Sequence, residues 1–405
     1  MRLSVAAAIL CAALPAGAER VVTRCSTETV HLPVNLQGAP VDVRRIGVCS
    51  DDQPDDALWF LDRLDSIDGS LDGHFDRTAS GAGALVYVLD TGVEINHDEF
   101  AGGNVIAGID VQHELGVKSY CNSPNGALHP CFDLSSVLTV LLRSHGTGVA
   151  SIIGGARVGV APGVSMISVT AIPIPPDTPG SASELENWLA VFKAVIRTAW
   201  DPSTPNVRTA IISMSTQVSG DYEPAAYAPL VQKIRDMVGG VDRNGNPDPN
   251  GKRFLFIIFA GNTGDGGAVS QCDASGNVHL FPATLGPSVD GLITVGGIGR
   301  DNRLSSISCR GPALELLAPS DDILPAINSG HDHYRKTLST GTSYATPIVS
   351  GAAAQLLARE PDLSPAEVEQ RLEATPSFMI DAPDGTTGKV VHIFYPSMPR
   401  RRAVR

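Results

Sequence analysis

Apolar residues along this chain fall into two alternating rhythms. Ala84-Leu85-Val86-Tyr87-Val88-Leu89 is an unbroken apolar run that stops at Asp90-Thr91-Gly92. Runs of the same kind are Met166-Ile167-Ser168-Val169, Ala210-Ile211-Ile212-Ser213, Phe254 to Phe259, and Leu292-Ile293-Thr294-Val295. Short continuous runs rich in β-branched residues predict strands buried on both faces, the condition of a parallel sheet. Between them, Leu185, Trp188, Leu189, Phe192, Val195 and Ile196 recur at helical spacing and predict a helix over 183–199. Ser364 announces another helix, with Pro365 at the first helical position and Glu367 completing a capping box. Strands alternating with helices predict an α/β fold: a doubly wound, mostly parallel sheet flanked by helices, built as a single domain. In such sheets ligands bind beyond the carboxyl ends of the strands. Asp90 and Asn262 both stand there.

The ends of the chain read differently. Arg2, the apolar run Val5 to Leu14 and the small residues Ala16-Gly17-Ala18 have the form of an export signal removed before Glu19. That run is too short to span a bilayer, and no later stretch is long enough, so no membrane span is expected. Residues 19–53 form a short segment with a cysteine near each end, followed by the acidic stretch Ser50 to Asp56. The main domain is placed at 54–395 and a basic tail at 396–405, whose arginines are read as a solvated end. The formal charge of −13 argues against a nucleic-acid partner. The 41 glycines and 29 prolines fit a compact sheet with many turns.

Of seven cysteines, Cys11 lies in the export signal. The other six are Cys25, Cys49, Cys121, Cys131, Cys272 and Cys309, an even set that in an exported chain points to disulfides. Local proximity favours Cys25–Cys49, Cys121–Cys131 and Cys272–Cys309, although sequence alone does not select a pairing. The turn-rich stretch Asp242 to Gly251 looks superficially like a calcium loop, but it lacks the final glutamate and is read as a plain surface loop.

Three short motifs carry chemistry. Val88-Leu89-Asp90-Thr91-Gly92 puts an acid where a buried strand ends. Ser144-His145-Gly146-Thr147-Gly148-Val149-Ala150 puts a histidine where an apolar, small-residue helix is expected to open. Ser339-Thr340-Gly341-Thr342-Ser343-Tyr344-Ala345-Thr346-Pro347 puts a serine at the start of another. Singly, each has a plain structural explanation as a turn residue, a solvated histidine or a helix cap. Together they supply what acyl transfer requires. A serine hydroxyl needs an imidazole to take its proton, and the imidazole needs a buried carboxylate to fix its tautomer. Phe259-Ala260-Gly261-Asn262 adds an amide that can donate to an oxyanion beside the Ser343 N–H, although next to glycine Asn262 also reads as a turn residue.

The order Asp, His, Asn, Ser resembles that of the subtilisin family, and more closely its proteinase K-like branch. The resemblance extends from about Leu58 to Thr375. It includes Trp59 to Asp65, Gly159-Val160-Ala161-Pro162, Phe281-Pro282-Ala283-Thr284, and Gly351 to Ala354. It implies a secreted serine endopeptidase with a subtilisin-like fold. Asp90 would orient His145, His145 would be general base and acid, Ser343 the nucleophile, and Asn262 an oxyanion donor. It further implies that Ser213, Met214, Ser215 and Thr216 pair with the substrate backbone, and that Ala260 and Gly261 wall the pocket opposite. Protein or peptide substrates, a monomeric state and chemistry without a cofactor are expected. A structural calcium ion is allowed for, but Glu99, Asp290 and Glu315 form no recognisable ligand loop and are read as solvated side chains.

The chain departs from the pattern in several places. Gly148 stands where the family has His, Gln217 where it has Gly, and Phe259 where it has a small residue. The last two would narrow the cleft. The stretch between Asp90 and His145 is long, and residues 19–53 are too few for the family's folded propeptide. A catalytically weak or silent binding module is the alternative reading these departures support.

Overall fold

A computed structural model describes residues 19–22, 29–32, 41–44, 58–66, 68–71, 74–77, 79–110, 139–171, 182–216, 225–264, 270–327, 339–374, 378–381 and 387–393. The export signal, Cys25, Cys49, Cys121, Cys131, Gln217 and the arginine tail lie outside these residues.

The strands are β1 (Glu19–Val22), β2 (Thr29–Leu32), β3 (Val41–Arg44), β4 (His74–Arg77), β5 (Leu85–Asp90), β6 (Val105–Asp110) and β7 (Ser165–Thr170). They continue with β8 (Thr209–Met214), β9 (Arg253–Phe259), β10 (Leu292–Ile298), β11 (Leu316–Pro319), β12 (Met379–Asp381) and β13 (Thr387–Val390). The helices are α1 (Trp59–Asp65), α2 (Thr139–Gly154), α3 (Ala182–Ala199), α4 (Ala228–Gly239), α5 (Thr342–Arg359) and α6 (Pro365–Ala374). Nine strands make one sheet in the order β12-β13-β11-β10-β9-β8-β5-β7-β6. Its pairings are parallel throughout except β12 with β13, so the predicted doubly wound, mostly parallel sheet is what the chain forms. All five apolar runs became strands of it.

The continuous apolar runs follow from burial on both faces. In β5, Val86 and Val88 join a core cluster with α1, α2, α5 and α6, while Leu85, Tyr87 and Leu89 join another with α3 and α4. Each fully buried Val or Leu contributes roughly 1.5–3 kcal/mol over its exposed state. A polar residue at either parity would therefore lose a core contact. The capping box forms as predicted, with the Ser364 N–H on Glu367 Oε2 at 2.9 Å and the Glu367 N–H on Ser364 Oγ at 3.3 Å. The Ser364 N–H and, next, the Ser364 hydroxyl, both donating to Oε2, hold the Glu367 carboxyl below its usual range.

One helix boundary differs from expectation. His145 does not open its helix; α2 begins at Thr139, and the histidine lies in its second turn. Gly146 and Gly148 weaken local propensity and imitate a helix start, but tertiary packing carries the helix through them.

Near the N-terminus, β1 pairs antiparallel with β4, tying residues just beyond the expected export signal to the main body. β2 and β3 form a separate hairpin. The strand order reverses at β5, which has β7 on one side and β8 on the other. Such a switch point opens a crevice at the carboxyl ends of the strands, where Asp90, Ser215 and Asn262 emerge.

Candidate active site

Asp90 ends β5 with its carboxylate fully buried. Oδ1 accepts the Thr91 N–H at 2.8 Å, and His145 Nδ1 lies 2.8 Å from Oδ1 and 3.0 Å from Oδ2. The histidine side chain keeps 22 % exposure, so one edge is held by a buried acid while the ring reaches the surface. Contacts between the two motifs fix this approach. The Gly146 N–H donates to Thr91 Oγ1 at 3.0 Å, and the Glu94 N–H donates to Thr147 Oγ1 at 2.9 Å. A Cβ on Gly146 would lie 2.1 Å from the Gly92 carbonyl oxygen, so only glycine lets α2 come this close.

Ser343 lies in the first turn of α5, whose N-cap is Gly341. The Tyr344 ring packs against His145 with centroids 5.6 Å apart, bringing the start of α5 to the imidazole. Pro347 stands four residues after Ser343 and has no N–H for the Ser343 carbonyl, which an α-helix would otherwise satisfy from that position. Ser215 Oγ, just past β8, donates to that carbonyl instead at 2.8 Å.

Asn262 follows β9 at a turn where Gly261 has φ +94°, a conformation that favours glycine. Its Oδ1 accepts the Thr342 N–H at 2.9 Å, and Thr342 Oγ1 lies 3.0 Å away. Because a backbone N–H only donates, the amide oxygen must face the helix and the amide nitrogen must point elsewhere. A carbon built on Gly341 would lie 3.2 Å from Ser343 Oγ and 3.9 Å from Asn262 Oδ1, so the hydroxyl and the amide border one small space. Helix polarity and first-turn N–H groups make that space favourable for negative charge. Asp90, His145, Ser343 and Asn262, far apart in sequence, thus meet at one end of the sheet.

The other predicted residues are placed unevenly. Ser213 and Met214 lie inside β8 with β5 and β9 paired on either side, so they present no sheet edge to a substrate. Ser213 Oγ instead accepts from Ser350 Oγ at 2.9 Å in the interior. Ser215 and Thr216 stand beyond the paired strand. Ala260 is fully buried in the cluster shared with α3 and α4, and its N–H donates to the Val295 carbonyl; it does not line the cleft. Gly261 is buried beside it, with its carbonyl accepting the Cys309 N–H at 3.0 Å. Phe259, expected to crowd the cleft, packs in that same core at 3 % exposure. Cys272 and Cys309 form the disulfide that their proximity predicted, with Cα atoms 5.4 Å apart.

Of the three candidate metal carboxylates, Glu99 and Glu315 differ from expectation. Glu99 is not solvated: it is buried against Arg157 at 2.9 Å and accepts the Arg157 and Val158 N–H groups, bracing the end of α2. Asp290 is exposed. Glu315 is half-buried with Glu369 and Glu373, the carboxylate oxygens lying within 4.8 Å of one another. The chain itself supplies partners there: Thr294 N–H for Glu315, Gly291 N–H for Glu369 and Lys389 Nζ for Glu373. Sequence reasoning missed Thr342 and Ser215 as fastenings of the site. Pro347 was the available signal for Ser215, since it implies a carbonyl needing an outside donor.

Known proteins resemble this chain over most of its length. An extracellular serine proteinase of Thermus sp. (strain Rt41A) is 30% identical over 329 residues, covering 80% of this chain and 63% of the relative. Alkaline serine exoprotease A of Vibrio alginolyticus is 30% identical over 322 residues, covering 80% of this chain and 47% of the relative. The chain thus spans about half to three fifths of the length of these two relatives. The crystal structure of a cold adapted subtilisin-like serine proteinase superposes with a TM-score of 0.59 at 27% identity, over 83% of this chain and 98% of that one. Residues 81–393 match the model of the subtilase family, Asp90, His145 and Ser343 among them, and the chain belongs to that family.

Proposed function

We propose that the protein is an exported serine endopeptidase that hydrolyses peptide bonds through an acyl-enzyme on Ser343. The observation that carries the reading is the fully buried Asp90 carboxylate on His145 Nδ1, with the ring edge exposed beside the start of α5. A carboxylate on Nδ1 keeps the proton there and leaves Nε2 as the base. His145 takes the hydroxyl proton as Ser343 Oγ attacks the scissile carbonyl. Negative charge then grows on the carbonyl oxygen, between the Ser343 N–H and the Asn262 amide nitrogen. His145 returns the proton to the leaving amine, and water repeats the sequence to free the acid and restore Ser343.

An extended substrate would add as a strand at Ser215 and Thr216, just beyond the paired part of β8, so the recognised class is protein or unfolded peptide. Each step is carried by groups of the chain. Export is supported by the signal-like residues 1–18 and by the name of the Thermus relative. In the test, purified protein and Ser343→Ala are compared on casein at equal folded concentration. Cleavage by the parent and none by the variant is expected; equal cleavage by both overturns the assignment.

A further inference from the structure

The Gly261–Asn262 turn is held from outside the catalytic motifs. Gln271 Oε1 accepts the Asn262 N–H at 3.0 Å and lies 3.4 Å from Asn262 Nδ2. The Gln271 N–H donates back to the Asn262 carbonyl at 2.9 Å. The next residue, Cys272, is bridged to Cys309, whose own N–H holds the Gly261 carbonyl. Asn262 also pairs with Ser308 in an isolated bridge. Residues beside or at each end of the disulfide therefore grip the turn, and a Cβ on Gly261 would lie 3.1 Å from Cys309 Sγ and 3.3 Å from Gln271 Cβ.

Consider what this does to the amide. Thr342 fixes its oxygen. An Asn amide nitrogen carries two N–H bonds. With one directed at Gln271 Oε1, the plane of the amide is set and the second N–H is left for the cleft. Without Gln271 the group keeps its anchor at Oδ1 but can swing about it. Preorganisation is what gives an oxyanion donor its effect, because nothing then reorients as charge develops.

We propose that Gln271, held in register by the Cys272–Cys309 bridge, is a positioning residue for the Asn262 amide. The inference rests on the assignment of Asn262 as oxyanion donor. A contact of this kind is realised in the transition state, so its loss lowers kcat and leaves KM nearly unchanged.

The test uses the full exported chain and a chromogenic peptide amide, with active sites counted by fluorophosphonate labelling. Gln271→Met preserves length and removes the acceptor; kcat should fall about tenfold, a fraction of the loss from deleting the donor itself, with KM within about twofold. Asn262→Ala should lower kcat about 100- to 1000-fold. In the double variant Gln271→Met adds no further loss, because its partner is gone. An unchanged kcat in Gln271→Met, a loss carried by KM, or additive losses in the double variant would overturn the proposal. A fully active Asn262→Ala overturns the underlying assignment instead. Should Gln271→Met fail to fold, Gln271→Asn, which withdraws the oxygen by one methylene, carries the same expectation.

Discussion

Ser343, His145 and Asp90 were legible in the sequence because each stands in a motif whose neighbours are constrained by the same chemistry. Gly146 must be small to approach Gly92, and Thr91 and Thr147 reach across to the opposite motif. Ser215 was read from resemblance as a substrate contact; what its side chain does in the fold is a structural task that spacing alone hides. Its hydroxyl replaces the helical donor that Pro347 removes. Ser215→Ala should therefore leave a buried carbonyl unsatisfied at a cost of about 1–3 kcal/mol. The loss would appear as a lower urea midpoint at unchanged slope, and an unshifted midpoint would contradict it. Gln271 was invisible for a related reason: its partner is a backbone turn reached only after the chain folds, and no local pattern marks it.

At the scale of elements, the apolar runs predicted the central strands because burial on both faces forces an unbroken pattern. Toward the β12 end of the sheet, β11, β13 and β12 are short, and no long apolar run marks them in the sequence. Glu315 was misread as solvated because nothing in its own segment shows that Glu369 and Glu373 on α6 will come to face it. Burial is the main cause pushing Glu315 up to about 9 and Glu369 up to about 7. Glu373 and Asp290 add repulsion, while the Thr294 and Gly291 N–H groups oppose the shift and Lys389 pairs with Glu373. Both acids have raised folded pKa values, so between the ordinary 4.5 and about 9 these two groups hold more protons in the folded chain than in the unfolded one. Their contribution to stability falls as pH rises through that window. Glu315→Gln mimics the protonated acid and removes most of the effect. Its thermal midpoint should match wild type near pH 4.5 and exceed it increasingly toward pH 9. A difference independent of pH would refute the account.

For the whole molecule, the two core clusters and the reversal at β5 place every proposed reacting group at one end of the sheet. Among the described residues, no helix is long and apolar enough to cross a membrane. The β1–β4 pairing bears on maturation, because Glu19 is both the first residue after the expected export signal and the first residue of β1. N-terminal sequencing of the exported protein should begin at Glu19, with residues 19–53 retained; a start beyond Gln53 would mean that this segment is removed.

The central claim is that Ser343 is the nucleophile. It is tested most directly by treating the folded protein with a fluorophosphonate and locating the adduct by peptide mass mapping. One adduct on the peptide containing Ser343, lost in His145→Ala, is the predicted result. An adduct on another serine, or none on folded wild-type protein, would contradict it.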